Sequence, residues 1–306
     1  MEIGIRFVIA TLLALLPVQA MAAARPHAAT VVVRFDAKRV TSVVTEGLAD
    51  PATARAVTAD DPVRIASISK LVTAIGVVKL VETGKLDLNR DVSDYLGWRL
   101  RNPAFPDVPL TLSMLLSHQS SLTDDAASLI PLGKTVQDHV ADPKAWDAAH
   151  PPGGYFRYTN LNFPLIATVM ERVTGERFDR LMHALVFAPS GVDACYNWTM
   201  CSDAAVNRAV VLTDPMGKTV RDDLKGVRPA CPVVADAPCD LSTYVIGTNG
   251  ALFSPQGGLR ISMTGLAKIG QMLIRDAKLR ALATPRWRYD GTNGVTEKGF
   301  FCRYGL

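Results

Sequence analysis

Ser67-Ile68-Ser69-Lys70 and Tyr158-Thr159-Asn160 are the two places where this sequence gathers groups able to run nucleophilic chemistry. A serine hydroxyl attacks a carbonyl only when something removes its proton, and a lysine amine can do so once burial lowers its pKa toward neutrality. Residues three apart on a helix share a face, so the Ser67 hydroxyl and the Lys70 amine are expected to be neighbours. Ser67 would then sit in the first turn, where the positive end of the helix dipole favours an oxyanion. Only one of the eleven lysines stands in a Ser-x-x-Lys. The alternative is an N-capping serine followed by a lysine that snorkels to solvent. Tyr-x-Asn also occurs once. A tyrosine hydroxyl near an ammonium can relay a proton, and an asparagine amide can donate to a substrate carbonyl. Taken alone, that tripeptide also fits a surface loop.

Other chemistries lack their motifs. No serine stands in Gly-x-Ser-x-Gly, and Gly-x-Gly-x-x-Gly, the phosphate-binding Gly-x-x-x-x-Gly-Lys and His-Glu-x-x-His are all absent. None of the cysteines has metal-ligand spacing. No cofactor and no metal are expected, and the expected partner is a small-molecule or peptide substrate.

The elements that must position these residues follow from apolar spacing. Ile68, Leu71, Val72, Ala74, Ile75, Val77, Val78, Leu80 and Val81 cover nearly every face of a helix that runs from Ser67 to Glu82 and ends before Gly84. That pattern predicts a helix buried all round, in which an unpartnered ammonium is costly and hence informative. Further helices are expected over Thr111 to His118, with Thr111 as N-cap, over Leu165 to Val173 ending at Gly175, and over Thr264 to Ile274. Thr30 to Phe35 and Arg39 to Val44 read as a hairpin turned by Asp36-Ala37-Lys38, and Gly299 to Leu306 as a late strand. The Pro-, Asp- and Gly-rich stretch between Cys195 and Pro255 reads as long loops.

The 306 residues are 48% hydrophobic and 20% charged, enough for a sizeable core and too ordinary for disorder. The net charge is +4, with the charges interspersed, so neither a nucleic-acid footprint nor a polybasic membrane surface is predicted. Residues 1–22 read as a secretory signal peptide: Arg6, an apolar run from Phe7 to Val18, then small residues around Ala22. The run falls short of the roughly 20 residues a membrane span needs. A periplasmic or secreted protein with no stable span after signal cleavage is therefore expected. An oxidising compartment allows disulfides, and Cys195 with Cys201 and Cys231 with Cys239 are the expected local bridges, leaving Cys302 over.

The two motifs, 91 residues apart, resemble those of the serine β-lactamase and penicillin-binding superfamily, nearest to the class C β-lactamases and their esterase and D-amino-acid peptidase relatives. Arg64-Ile65-Ala66-Ser67-Ile68-Ser69-Lys70 is similar to the family's nucleophile segment and Gly84-Lys85-Leu86-Asp87-Leu88 to the turn after its helix. Leu115-Leu116-Ser117-His118-Gln119-Ser120-Ser121-Leu122 is similar to the family's Leu-Leu-Thr-His-Thr-Ser-Gly-Leu, with Ser121 in place of glycine. Gly257-Gly258-Leu259 before a helix also matches.

The resemblance implies an α+β fold in which a helical domain packs on an antiparallel sheet formed from both chain ends. It implies Ser67 as the acylated nucleophile, Lys70 as its base, Tyr158 as proton relay to the leaving group and Asn160 as holder of the substrate's amide or carbonyl. The Ser67 N–H would give half of the oxyanion hole. The family's third motif, Lys-Thr-Gly or His-x-Gly, is absent: Lys134-Thr135 and Lys218-Thr219 are each followed by valine, and no histidine has glycine two residues on. The expectation is a chain cut short before its last strands, with strand edges and apolar faces left uncovered. The expected divisions are the signal peptide 1–22, N-terminal strands 23–62, a mainly helical domain 63–290 with a disulfide-bearing loop region 193–240, and the first return strands 291–306. His118 reads as a hydrogen-bonded structural histidine and Arg64 as a structural ion-pair partner. Besides a Ser acyl-enzyme hydrolase acting on β-lactams, D-amino-acid peptides or esters, two other readings are an inactive penicillin-binding-like protein and, if the signal stays uncleaved, a membrane-tethered scaffold.

Overall fold

A computed structural model describes residues 29–126, 128–229, 239–296 and 302–305. The expected signal peptide lies outside these residues.

The helix Ile68–Glu82 runs through the main core, where Val72, Ala74, Ile75 and Val77 have no exposed surface. The burial is not all round, because Ile68 is 49% exposed. Thr83 caps the end of the helix and Gly84 follows at φ +71°, a conformation glycine adopts without steric cost. Packed against it is the helix Asn162–Thr174, which buries ten successive residues from Asn162 to Glu171 and stops at Gly175 with φ +68°. Gly250, at the start of the turn Gly250–Phe253, is pressed against this second helix so closely that a Cβ would stand 2.6 Å from the Pro164 carbonyl oxygen. The helix expected from Thr111 is shorter than the pattern suggested, Leu112–Leu116. Thr111 accepts from the Met114 N–H as its cap, and the chain then turns through His118 at φ +58°.

The N-terminal hairpin is present, Thr30–Phe35 antiparallel to Val40–Glu46. It lies on the amphipathic helix Met263–Arg275, where the Phe35 ring covers Gly270, leaving no room for a side chain there. Val32, Val43 and Val44 on its strands are exposed. At the other end, Arg303–Gly305 pairs antiparallel with Pro285–Arg288, within the strand expected from 299 to 306.

The α+β class stands, but the single sheet expected from both chain ends is divided. Among the described residues the hairpin and the late strand pair form separate two-stranded sheets. The sheet that matters for the site has three strands, Val63–Arg64 and Cys195–Tyr196 flanking Leu259–Ile261.

Between 195 and 255 the described residues are largely irregular, as the composition foretold, with the short helix Asp203–Asn207 and the hairpin Leu212–Thr213 with Thr219–Arg221. Cys195 and Cys201 are disulfide-bonded. Cys239 is also bridged, while its expected partner Cys231 lies outside the described residues. Cys302 is an exposed free thiol. Among the described residues no helix is long and apolar enough to cross a membrane.

Candidate active site

The three-stranded sheet leads directly into the nucleophile. Ile65 N–H donates to the Leu259 carbonyl at 3.1 Å, Ala66 bends the chain at φ +46°, and Ser67 opens the helix. A left-handed alanine is a strained connection that the surrounding contacts must hold. Those contacts are the helix's first turns tied to the sheet. Ser69 Oγ accepts from the Leu259 N–H at 3.1 Å, and the Thr73 and Tyr196 hydroxyls share a 2.8 Å hydrogen bond.

Ser67 occupies the N-cap position but its side chain makes no capping bond, which removes the N-cap alternative. Its Oγ instead accepts from Lys70 Nζ at 3.2 Å and from the Tyr158 hydroxyl at 2.8 Å. The Ser67 backbone N–H makes no hydrogen bond among the described residues and is open to an oxyanion at the helix N-terminus.

Lys70 does not snorkel. It is 1% exposed, and its Nζ also donates to Asn160 Oδ1 at 2.8 Å and to the Gln256 carbonyl at 3.1 Å. The Tyr158 and Phe163 rings lie 4.7 and 5.4 Å from the same nitrogen. Burial pulls the Lys70 amine from 10.5 down to about 8, while Asp124 raises it and Arg64 lowers it further. At pH 7 roughly a tenth of the amines would therefore be neutral and able to accept a proton.

Asn160 and Tyr158 are held from behind. Asp124 Oδ2 accepts from the Asn160 backbone N–H and Nδ2, and Oδ1 accepts from Leu161 N–H. His118 stacks on Tyr158 with ring centroids 4.5 Å apart, and its Nδ1 accepts from the Thr159 N–H at 3.1 Å. Burial drives its pKa well below 6.5, so it stays neutral and structural, as expected. The structure thus brings together all four expected residues, Ser67, Lys70, Tyr158 and Asn160. Ser121, standing where the resembling segment has glycine, carries the φ of +60° that explains a glycine there.

Asp124 and Gln256 escaped sequence reasoning. Asp124 meets Asn160 across 36 residues, and Gln256 acts on Lys70 through its backbone carbonyl across 186, so no local spacing announces either. Arg64 needs correction: no ion pair to it occurs among the described residues. It lines a cavity of about 360 Å³ that also touches Ser67, Asn160, Gln256, Arg221 and Arg260. A second, more apolar cavity of about 650 Å³ meets Ser67 and Lys70 on the side of Leu273, Leu282 and Tyr304.

The sequence pattern of the family described as Beta-lactamase matches residues 17–306. The D-alanyl-D-alanine-carboxypeptidase/endopeptidase AmpH of Escherichia coli (strain K12) is 29% identical over 141 residues, 44% of this chain and 36% of AmpH. Protein flp of Staphylococcus aureus (strain N315) is 27% identical over 119 residues, 38% of this chain and 24% of that relative. The matched region thus spans little more than a third of the longer of these alignments' curated relatives, 36% of AmpH. Among solved structures, a penicillin binding protein from Bacillus halodurans superposes with a TM-score of 0.58 at 24% identity, over 83% of this chain and 73% of that one. A D-alanine carboxypeptidase AmpC from Burkholderia cenocepacia gives 0.59 at 22% identity, over 83% and 62%. At such identities the superpositions speak for the fold. The family match, which runs through nearly the whole sequence, places this chain in the beta-lactamase family.

Proposed function

We propose that the chain is an exported serine hydrolase that forms an acyl-enzyme on Ser67 and acts on β-lactam, D-amino-acid peptide or ester substrates. The observation that carries the reading is the convergence of Lys70 Nζ and the Tyr158 hydroxyl on one serine oxygen, at 3.2 and 2.8 Å. Neutral Lys70 takes the Ser67 proton as Oγ attacks the substrate carbonyl, and the Ser67 N–H faces the oxyanion that develops. The tetrahedral intermediate collapses to the Ser67 ester as Tyr158 passes a proton to the leaving group, recovering it from Lys70. Water then attacks the ester with the same groups acting in reverse. Carboxypeptidase activity stands in the names of AmpH and the AmpC structure, which favours a D-amino-acid peptide among the substrate classes.

Intact-mass spectrometry after incubation with a penicillin or a fluorophosphonate tests this. One adduct per chain is expected, absent from Ser67→Ala; an adduct that persists in the variant overturns the assignment. A second reading, a penicillin-binding-like protein that binds without turnover, draws on the absence of Lys-Thr-Gly and His-x-Gly from the sequence. It predicts ligand binding with no adduct on the unsubstituted protein.

A further inference from the structure

Beside Ser67, on the Asn160 side, the 360 Å³ cavity gathers three arginines, Arg64, Arg221 and Arg260. Arg260 is already satisfied. Its Nη2 donates to Asp222 Oδ1 at 2.9 Å, and its Nη1 donates to Asn197 Oδ1 and the Gly258 carbonyl, each at 2.8 Å. Asp222 is equally engaged, because Trp198 Nε1 also donates to it at 2.9 Å. This ion pair cancels one positive and one negative charge and leaves two guanidinium groups over.

Neither Arg64 nor Arg221 makes an ion pair or side-chain hydrogen bond among the described residues, and no acidic residue is among those that line the cavity. Asp124, behind Asn160, is already bound by Asn160 and Leu161 and balances Lys70. Arg64 is half-buried against Gly257, where a Cβ would meet its Nη2 at 3.1 Å, so water cannot fully solvate that charge. Arg64 also feels the repulsion of Arg260 and Arg221, which the attraction of Asp222 offsets in part. Two like charges kept together in a concave wall without an ion-pair partner of their own form a field that attracts an anion, and guanidinium groups match a carboxylate in shape as well as in sign.

We propose that this cavity selects substrates whose acyl half carries a carboxylate, held by Arg64 and Arg221 while Ser67 is acylated. The proposal rests on the nucleophile reading above and deepens it. The acyl side is indicated because the cavity touches Asn160 and Ser67, whereas Tyr158, the proton donor to the leaving group, is not in its wall. Arg221, at the end of the strand Thr219–Arg221, and Asn197, between the bridged Cys195 and Cys201, both belong to the wall of this cavity.

The test compares two esters that share length and leaving group, mono-para-nitrophenyl glutarate and para-nitrophenyl valerate. The ratio of their kcat/KM values, glutarate over valerate, is expected to fall about tenfold in Arg221→Gln and again in Arg64→Gln, and to shrink in high salt. A ratio unchanged in Arg221→Gln overturns the proposal. Arg221 is an exposed residue, so its variant decides the matter even if Arg64→Gln fails to fold. If neither ester is hydrolysed, the Ser67 adduct described above decides the nucleophile reading, and the pocket is judged separately by calorimetry of free glutarate with the Ser67→Ala protein. Binding weakened about tenfold by Arg221→Gln upholds the anion site, and binding unaffected by that change, or no binding, overturns it.

Discussion

Asp124 grips Asn160 twice, its Oδ2 accepting from the backbone N–H at 2.9 Å and from Nδ2 at 2.8 Å. Asn160 in turn accepts from Lys70, so the carboxylate orients the general base through an intermediary and also raises its pKa by its charge. Asp124→Asn removes the charge and one acceptor. The inflection of the acylation rate against pH should move to lower pH, because Lys70 loses the charge that favours its ammonium. The maximal rate should fall roughly tenfold or more as Asn160 loosens. A stopped-flow pH series on the variant checks both, and an unshifted inflection would deny Asp124 this role.

Tyr158 approaches Ser67 Oγ more closely than Lys70 does, at 2.8 against 3.2 Å. Tyr158→Phe keeps the ring against His118 and Lys70 and removes only the hydroxyl. Acylation by a substrate with a poor leaving group, such as an amide, should slow by ~10²–10⁴, and by a nitrophenyl ester much less, since that leaving group needs no proton. Equal losses on the two would assign Tyr158 to the attack step instead.

Glu171 is buried under the turn that follows Tyr244, where Oε2 accepts from the Tyr244 hydroxyl at 2.6 Å and from Gly247 N–H at 2.8 Å. Burial lifts its carboxyl from 4.5 to about 7 against the pull of these donors. The folded state therefore holds the proton more tightly than the unfolded chain. Between pH 4.5 and about 7 its contribution to stability should decline as pH rises, by about 1.4 kcal/mol per unit, and should level off above. Urea unfolding of wild type and Glu171→Gln at pH 5, 6 and 7 isolates this slope, because only the wild type carries it.

Gly250 touches the helix that follows the Tyr-x-Asn motif, with Ala167, Pro164 and Thr168 all within 2.7 Å of where a Cβ would stand. Backbone atoms cannot step aside as a flexible side chain could, so Gly250→Ala should cost about 1–3 kcal/mol. A denaturant midpoint equal to that of wild type would show that the turn gives way instead.

Much of this site was legible in the sequence because its principal pair is local. Ser67 and Lys70 share a helical face, and the all-apolar helix around them foretold that Lys70 would be desolvated. The Tyr-x-Asn tripeptide became a partner only through resemblance, since nothing in its own spacing relates it to a residue 91 positions away. Asp124 and the Gln256 carbonyl were invisible for the same reason, and Arg64 was misread because a charge beside a nucleophile suggests a partner that the fold withholds. Helix ends were legible where a cap or glycine marks them, as at Gly84 and Gly175. The sheet was less so, because strand pairing is left to tertiary packing, and among the described residues the single sheet expected from both ends is divided into several small ones.

The account turns on Lys70 being the base for Ser67. The most direct measurement is the rate of Ser67 acylation by a fluorophosphonate from pH 5 to 10, followed by intact mass on wild type and Lys70→Arg. A neutral amine as base predicts a rate that rises through an inflection at about 8 and then holds level, with that inflection gone and the rate lowered by ~10²–10⁴ in the variant, whose guanidinium stays charged. A wild-type profile flat across that range, or a variant that acylates as fast as wild type, would contradict it.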